Sequence, residues 1–185
     1  MEDGETWANG SARAVRVGTH AVTRTSRATL WGRLRQHRGS TGARHPGGGN
    51  HRGSIFRRHV GAALIVRDQL PPALLDSWLA SHADPDWAQV EADLEIKVSQ
   101  VIGAMPFVWV PVPDHEQGVS DRSWVERNSI ALLSGIPGPA DEPSETWLGR
   151  RAPRMEVRTS GLWNVNHVRE TYDLTFLDTL ERYVV

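Results

Sequence analysis

The chain has 185 residues, enough for one domain with a single core, and it contains no cysteine. Disulfides, thiolate metal sites and a cysteine nucleophile are therefore excluded. The formal net charge of −1 conceals a segregation: up to Arg67 there are twelve basic against three acidic side chains, and from Asp68 onward nine against nineteen. No Asp or Glu occurs between Thr6 and Arg67.

A surface of one sign attracts a polyanion. The alternative is that the two halves neutralise each other across the fold, although pairs at the surface contribute little. The longest apolar run, 105–112, is interrupted by Pro106 and Pro111 and is too short to span a bilayer. Glu2, Asp3 and Glu5 stand where a signal peptide carries positive charge, so a soluble, cytoplasmic protein is expected. Composition leaves the oligomeric state open.

The first dozen residues read as a turn or loop. Residues 12–18 alternate small or apolar side chains with Arg, the pattern of a strand with one wet face. Polar residues 23–26 follow, and Ser26 or Thr29 is placed to cap a helix whose stripe is Leu30, Trp31 and Leu34, ending at Gly39. Beyond the Gly47-Gly48-Gly49 loop, Ser54 is placed to cap a second helix bearing Ile55, Phe56, Val60, Ala63 and Leu64 at helical spacing. Pro71-Pro72 opens a third over 73–80, and 87–104 reads as a fourth. Residues 107–112, aromatic and β-branched, predict a buried strand, with Pro111 weakening its far end.

After a loop at 114–119, Ser120 caps a predicted helix over 121–134. Residues 135–143 are rich in Gly and Pro and read as loop, a short helix is predicted over 145–149, and a turn at 160–165 precedes a last helix near 174–182. Trp31, Trp109 and Trp124 are assigned to the core rather than to base stacking. The predicted architecture is α+β, a small sheet with helices packed around it.

Chemistry concentrates in residues 27–59. Arg33 and His37, four apart on a helix, share a face, and His51 follows the glycine loop. A guanidinium offers parallel donors to phosphate oxygens, and imidazoles move protons near neutral pH. His20, His45 and His59 raise the local imidazole count without an assigned role.

The order of these elements resembles the GIY-YIG nuclease domain: a strand ending in Arg16-Val17-Gly18, a helix with Arg33 and His37, a second His at 51, a strand, a helix carrying Glu126, then a late Asn164. The resemblance implies a small antiparallel β-sheet flanked by helices, forming one domain over 1–185 with a Gly/Pro-rich insertion near 135–160. It also implies a divalent-metal-dependent endonuclease that hydrolyses nucleic-acid phosphodiesters, the partner being DNA, with one Mg²⁺ or Mn²⁺ held by Glu126. Arg33 would stabilise charge on the phosphoryl oxygens, His37 and His51 would assist proton transfer or hold substrate, and Asn164 would lie near the site.

The family's first motif, with its tyrosine, has no counterpart, and Arg16 stands where the second motif carries tyrosine. The N-terminal strand is accordingly expected to be missing, through a late start or a shortened domain. The alternatives are a non-catalytic nucleic-acid-binding module of the same fold and an interaction domain whose basic and acidic halves meet in an oligomer.

Overall fold

The computed structural model describes residues 4–7, 9–20, 28–39, 48–113, 120–136 and 142–184. The polar stretch 23–26, His45, Gly47, the loop at 114–119 and residues 137–141 of the Gly/Pro-rich stretch lie outside them.

Among the described residues there are seven helices: α1 Leu30–Arg38, α2 Ile55–Arg67, α3 Pro72–Leu79, α4 Ala88–Ala104, α5 Asp121–Leu133, α6 Met155–Ser160 and α7 Phe176–Val184. Short 3₁₀ turns occupy His51–Gly53, Pro85–Trp87 and Leu148–Arg151. The caps follow the sequence. Thr29, Ser54 and Ser120 accept the backbone N–H of Gly32, Arg57 and Ser123 at 3.0, 3.3 and 3.1 Å, which satisfies donors that a helix start leaves orphaned. Gly39, at φ 93°, ends α1. The predicted short helix near 145–149 instead forms the Leu148–Arg151 turn, and α6 was not anticipated.

The α+β expectation is overturned: among the described residues the protein is helical, with no strand or sheet. β-Pairing there amounts to an isolated antiparallel bridge between Thr6 and Ala12. Residues 13–18, predicted as a strand, run beside Leu162, Trp163 and Asn164 without forming one; among the described residues a single backbone bond, Trp163 N–H to Val15 carbonyl at 2.8 Å, joins them. The next rung is supplied by a side chain. The Asn164 amide accepts the Val17 N–H at 3.0 Å and donates to the Val17 carbonyl at 2.8 Å, standing in for a peptide group.

The second predicted strand, 107–112, forms no β-pairing among the described residues and lies outside the core. Val108 is 96% exposed, and the backbone of 107–110 makes no hydrogen bond. Pro106, Pro111 and Pro113 remove ladder donors around it. Trp31 and Trp109 are likewise exposed, and Trp124 is half-buried. The core tryptophans are Trp78, Trp147 and Trp163.

α2 is the central helix. Phe56, Val60, Ala63 and Leu64 pack against Leu94, Val98 and Ile102 of α4, Leu74 and Trp78 of α3, and Trp147 and Trp163. Gly61 permits this contact, since a Cβ there would sit 2.1 Å from a ring carbon of Trp78. A smaller cluster of Ile130, Leu162 and Val168 lies under α5. Residues 13–18 bridge the two: Val15 packs on the main core and Val17 on the smaller one. Arg16, between them, lays its guanidinium over Phe56 at the edge of the main core.

Candidate functional site

Arg16 is where the separated parts of the sequence meet. Its guanidinium lies over the Phe56 ring of α2, 4.7 Å from the centroid, and donates to the Trp163 carbonyl at 3.4 Å. The ring of His37 meets the same phenylalanine edge-on at 5.6 Å. Three residues beyond Arg16, the Thr19 N–H donates to Glu126 Oε1 at 3.1 Å, tying the extended segment to α5. Arg33, one turn before His37 on α1, is exposed and donates to Gln36 at 2.9 Å.

Arg16 and Arg33 act electrostatically on both Glu126 and His37. Burial pushes the Glu126 carboxyl above its ordinary pKa, while the Thr19 N–H and the charges of Arg16, His167 and Arg33 oppose that shift. Burial, then Arg16, Arg33 and Arg57, push His37 down to about 4, so its imidazole is neutral at pH 7. Burial and the repulsion of Arg33 lower Arg16 to about 10 despite the attraction of Glu126. His59, one turn beyond Phe56, is held near 4 by burial, Arg154, Arg16 and Arg58.

The structure thus puts Arg16 and Arg33 within electrostatic reach of both His37 and Glu126. It places the two other sequence candidates differently. His51 is buried, stacked on Trp78 at 3.5 Å between centroids, and bound through Nδ1 to Glu95 at 2.9 Å. Asn164 is buried and occupied with Val17, so it positions the segment bearing Arg16. Neither Arg127 nor Arg122 serves Glu126 as a helix neighbour: Arg127 turns to Glu170, and Arg122 donates to the Val112 carbonyl at 2.7 Å.

Charge segregation resolves in two ways. Arg52 and Arg57, from the acid-free stretch, pair with Glu91 and Glu95 of α4, as the self-neutralising reading expects. Arg16, Arg33, Arg35, Arg38 and Arg58 have no such partner among the described residues. Arg16 was legible as a departure from the family motif, but nothing in the sequence placed it within electrostatic reach of Glu126.

The model of the GIY-YIG domain matches residues 1–185. The chain belongs to the GIY-YIG domain family. Its function is therefore of nuclease type, directed at nucleic acid. No curated protein and no solved structure matches the chain. Among the described residues no helix of this GIY-YIG domain is long and apolar enough to cross a membrane.

A divalent ion fits the donor set in one way. No group of three or more metal-ligating side chains occurs among the described residues, and Glu126 is a single carboxylate. Mg²⁺ at phosphate-handling sites takes one or two carboxylates and completes its shell with water and phosphate oxygens. A half-buried carboxylate whose pKa stays raised in spite of nearby arginines is under-compensated, which suits it to a cation.

The two depressed histidines set an acid limit. Each binds its proton more weakly in the folded state than in the unfolded chain, whose histidines titrate near 6.5. Between that value and about 4 the unfolded state holds more protons, so stability falls as the pH falls. We expect chemical denaturation midpoints to decline from pH 7 to pH 4, and His37→Gln with His59→Gln to flatten the decline. An unchanged slope in the double variant rejects this assignment.

Proposed function

We propose that this GIY-YIG domain hydrolyses phosphodiester bonds of DNA, using Glu126 to hold a single Mg²⁺ or Mn²⁺. The supporting observation is that the charges of Arg16 and Arg33 act on both His37 of α1 and Glu126 of α5, two groups remote in sequence. When bound, such an ion neutralises phosphate charge and polarises the reacting phosphoryl group. Arg33 donates to a non-bridging oxygen, where charge accumulates as water attacks. His37, neutral at pH 7, accepts the proton that water gives up as its oxygen bonds to phosphorus. The bond from phosphorus to the leaving oxygen breaks, and solvent protonates that oxygen.

Purified protein incubated with supercoiled plasmid and Mg²⁺ or Mn²⁺ tests this reading. Conversion to open-circular DNA, suppressed by a chelator, is expected. Absence of nicking in both metals rejects it.

A second reading is a nucleic-acid-binding module without cleavage. It is favoured by one observation: Glu126 Oε1 already accepts the Thr19 N–H. Salt-sensitive DNA binding without nicking, unaffected by Glu126→Gln, distinguishes it.

A further inference from the structure

Among the described residues, three buried or half-buried arginines have carboxylate partners, whereas Arg58 and Arg16 have none. Arg13 is paired with Glu5 at 2.9 Å, Arg52 with Glu91 at 2.8 Å, and Arg57 with Glu95. Arg16 has no ion pair among the described residues. Its one hydrogen bond, to the Trp163 carbonyl, is long at 3.4 Å, although a guanidinium carries five N–H donors. Glu126 attracts it from beyond ion-pair distance while already accepting the Thr19 N–H, and Arg33 repels it. A desolvated cation beside another cation is costly unless an anion completes the set. The Phe56 face offsets only part of that cost.

We infer that Arg16 is a phosphate-binding residue of the site, its guanidinium gripping a non-bridging phosphodiester oxygen in concert with Arg33. The two arginines divide the task by mobility. Arg33 reaches in from an exposed helix face, whereas Arg16 is held in place by Phe56 and by the Asn164 clamp on Val17. A preplaced donor loses little conformational freedom on binding. This inference rests on the proposed phosphodiester substrate, but it does not require cleavage.

The experiment measures binding of a fluorescently labelled DNA duplex to the full chain in a metal chelator across a salt series, with melting curves for each protein. Arg16→Met is expected to keep or raise the melting temperature, weaken binding roughly tenfold, and reduce the salt slope by about one. Arg16→Lys is expected to recover part of the affinity, since charge returns without the fork. Lys97→Met removes an exposed cation that faces Asp68 and serves as the control for charge alone.

Nicking, measured separately, tells the two readings apart. Arg16-dependent binding without any nicking by the wild type rejects the nuclease and sustains the role of Arg16. Nicking with wild-type kcat and KM by folded Arg16→Met overturns that role and leaves the nuclease standing. A lowered melting temperature with unchanged DNA affinity makes Arg16 structural and also overturns the inference, as does a wild type that binds no DNA at low salt.

Discussion

Glu126→Gln is expected to lower plasmid nicking by at least about 10³-fold in either metal while leaving the protein folded. Gln is nearly isosteric and keeps an oxygen for the Thr19 N–H, so the link from the extended segment to α5 survives. What disappears is the negative charge that would hold the ion. Loss of metal assistance costs several kcal/mol of transition-state stabilisation, and each 1.36 kcal/mol is a factor of ten in rate. Stability is expected to hold or rise slightly, because burial already disfavours the ionised carboxyl. Time courses of nicking at matched protein concentration, with melting curves alongside, check both halves. A folded variant that nicks within about threefold of the wild-type rate removes Glu126 from the reaction.

Local signals in the sequence proved reliable where they were chemically self-contained. Thr29, Ser54 and Ser120 cap the helices predicted from them, because a cap is decided within four residues. The grouping of Arg33, His37 and Glu126 as a site rests on the family pattern rather than on any local signal. The sheet failed for a reason no window of sequence contains. Residues 107–112 have the composition of a buried strand, but composition supplies no neighbour, and α2 and α4 satisfy each other's apolar faces without it. Asn164 looked like a site residue because a late polar group suits one. Its amide instead replaces a peptide group for Val17, a role visible only once residues 13–18 lie beside it. His51 misled similarly: a run of glycines precedes it in sequence, yet its partners Glu95 and Trp78 lie on other helices.

That buried partnership yields the largest expected effect on stability. Glu95 joins three elements. Its Oε1 accepts the backbone N–H of His51 at 2.5 Å and faces His51 Nδ1 at 2.9 Å, and its Oε2 accepts Arg57 Nε at 2.9 Å. Arg57, fully buried, donates onward to the His37 carbonyl at 2.8 Å and to Ser99 at 3.0 Å. Gly49 lets the loop close over it, since a Cβ there would stand 2.3 Å from the guanidinium carbon. Removing Glu95 strands a buried cation, and Glu95→Ala is expected to lose about 3–5 kcal/mol in urea denaturation.

The end of α1 that carries His37 hangs on Arg57, so the same change should loosen the proposed site as well as the core. The double variant Glu95→Leu with Arg57→Met separates the charge from the packing. It is expected to recover much of the lost stability, because an apolar pair of similar volume requires no compensation. Burial raises the Glu95 carboxyl, but hydrogen bonds from His51 and Arg57 outweigh it and hold the group below its usual value. Its contribution is thus present above the unfolded carboxylate pKa and lost as the pH falls through the lower, folded one, a more acidic window than that of His37 and His59. If Glu95→Ala costs less than about 1 kcal/mol, Arg57 is not the dependent charge that its burial implies, and the link from α4 to α1 must run through packing alone.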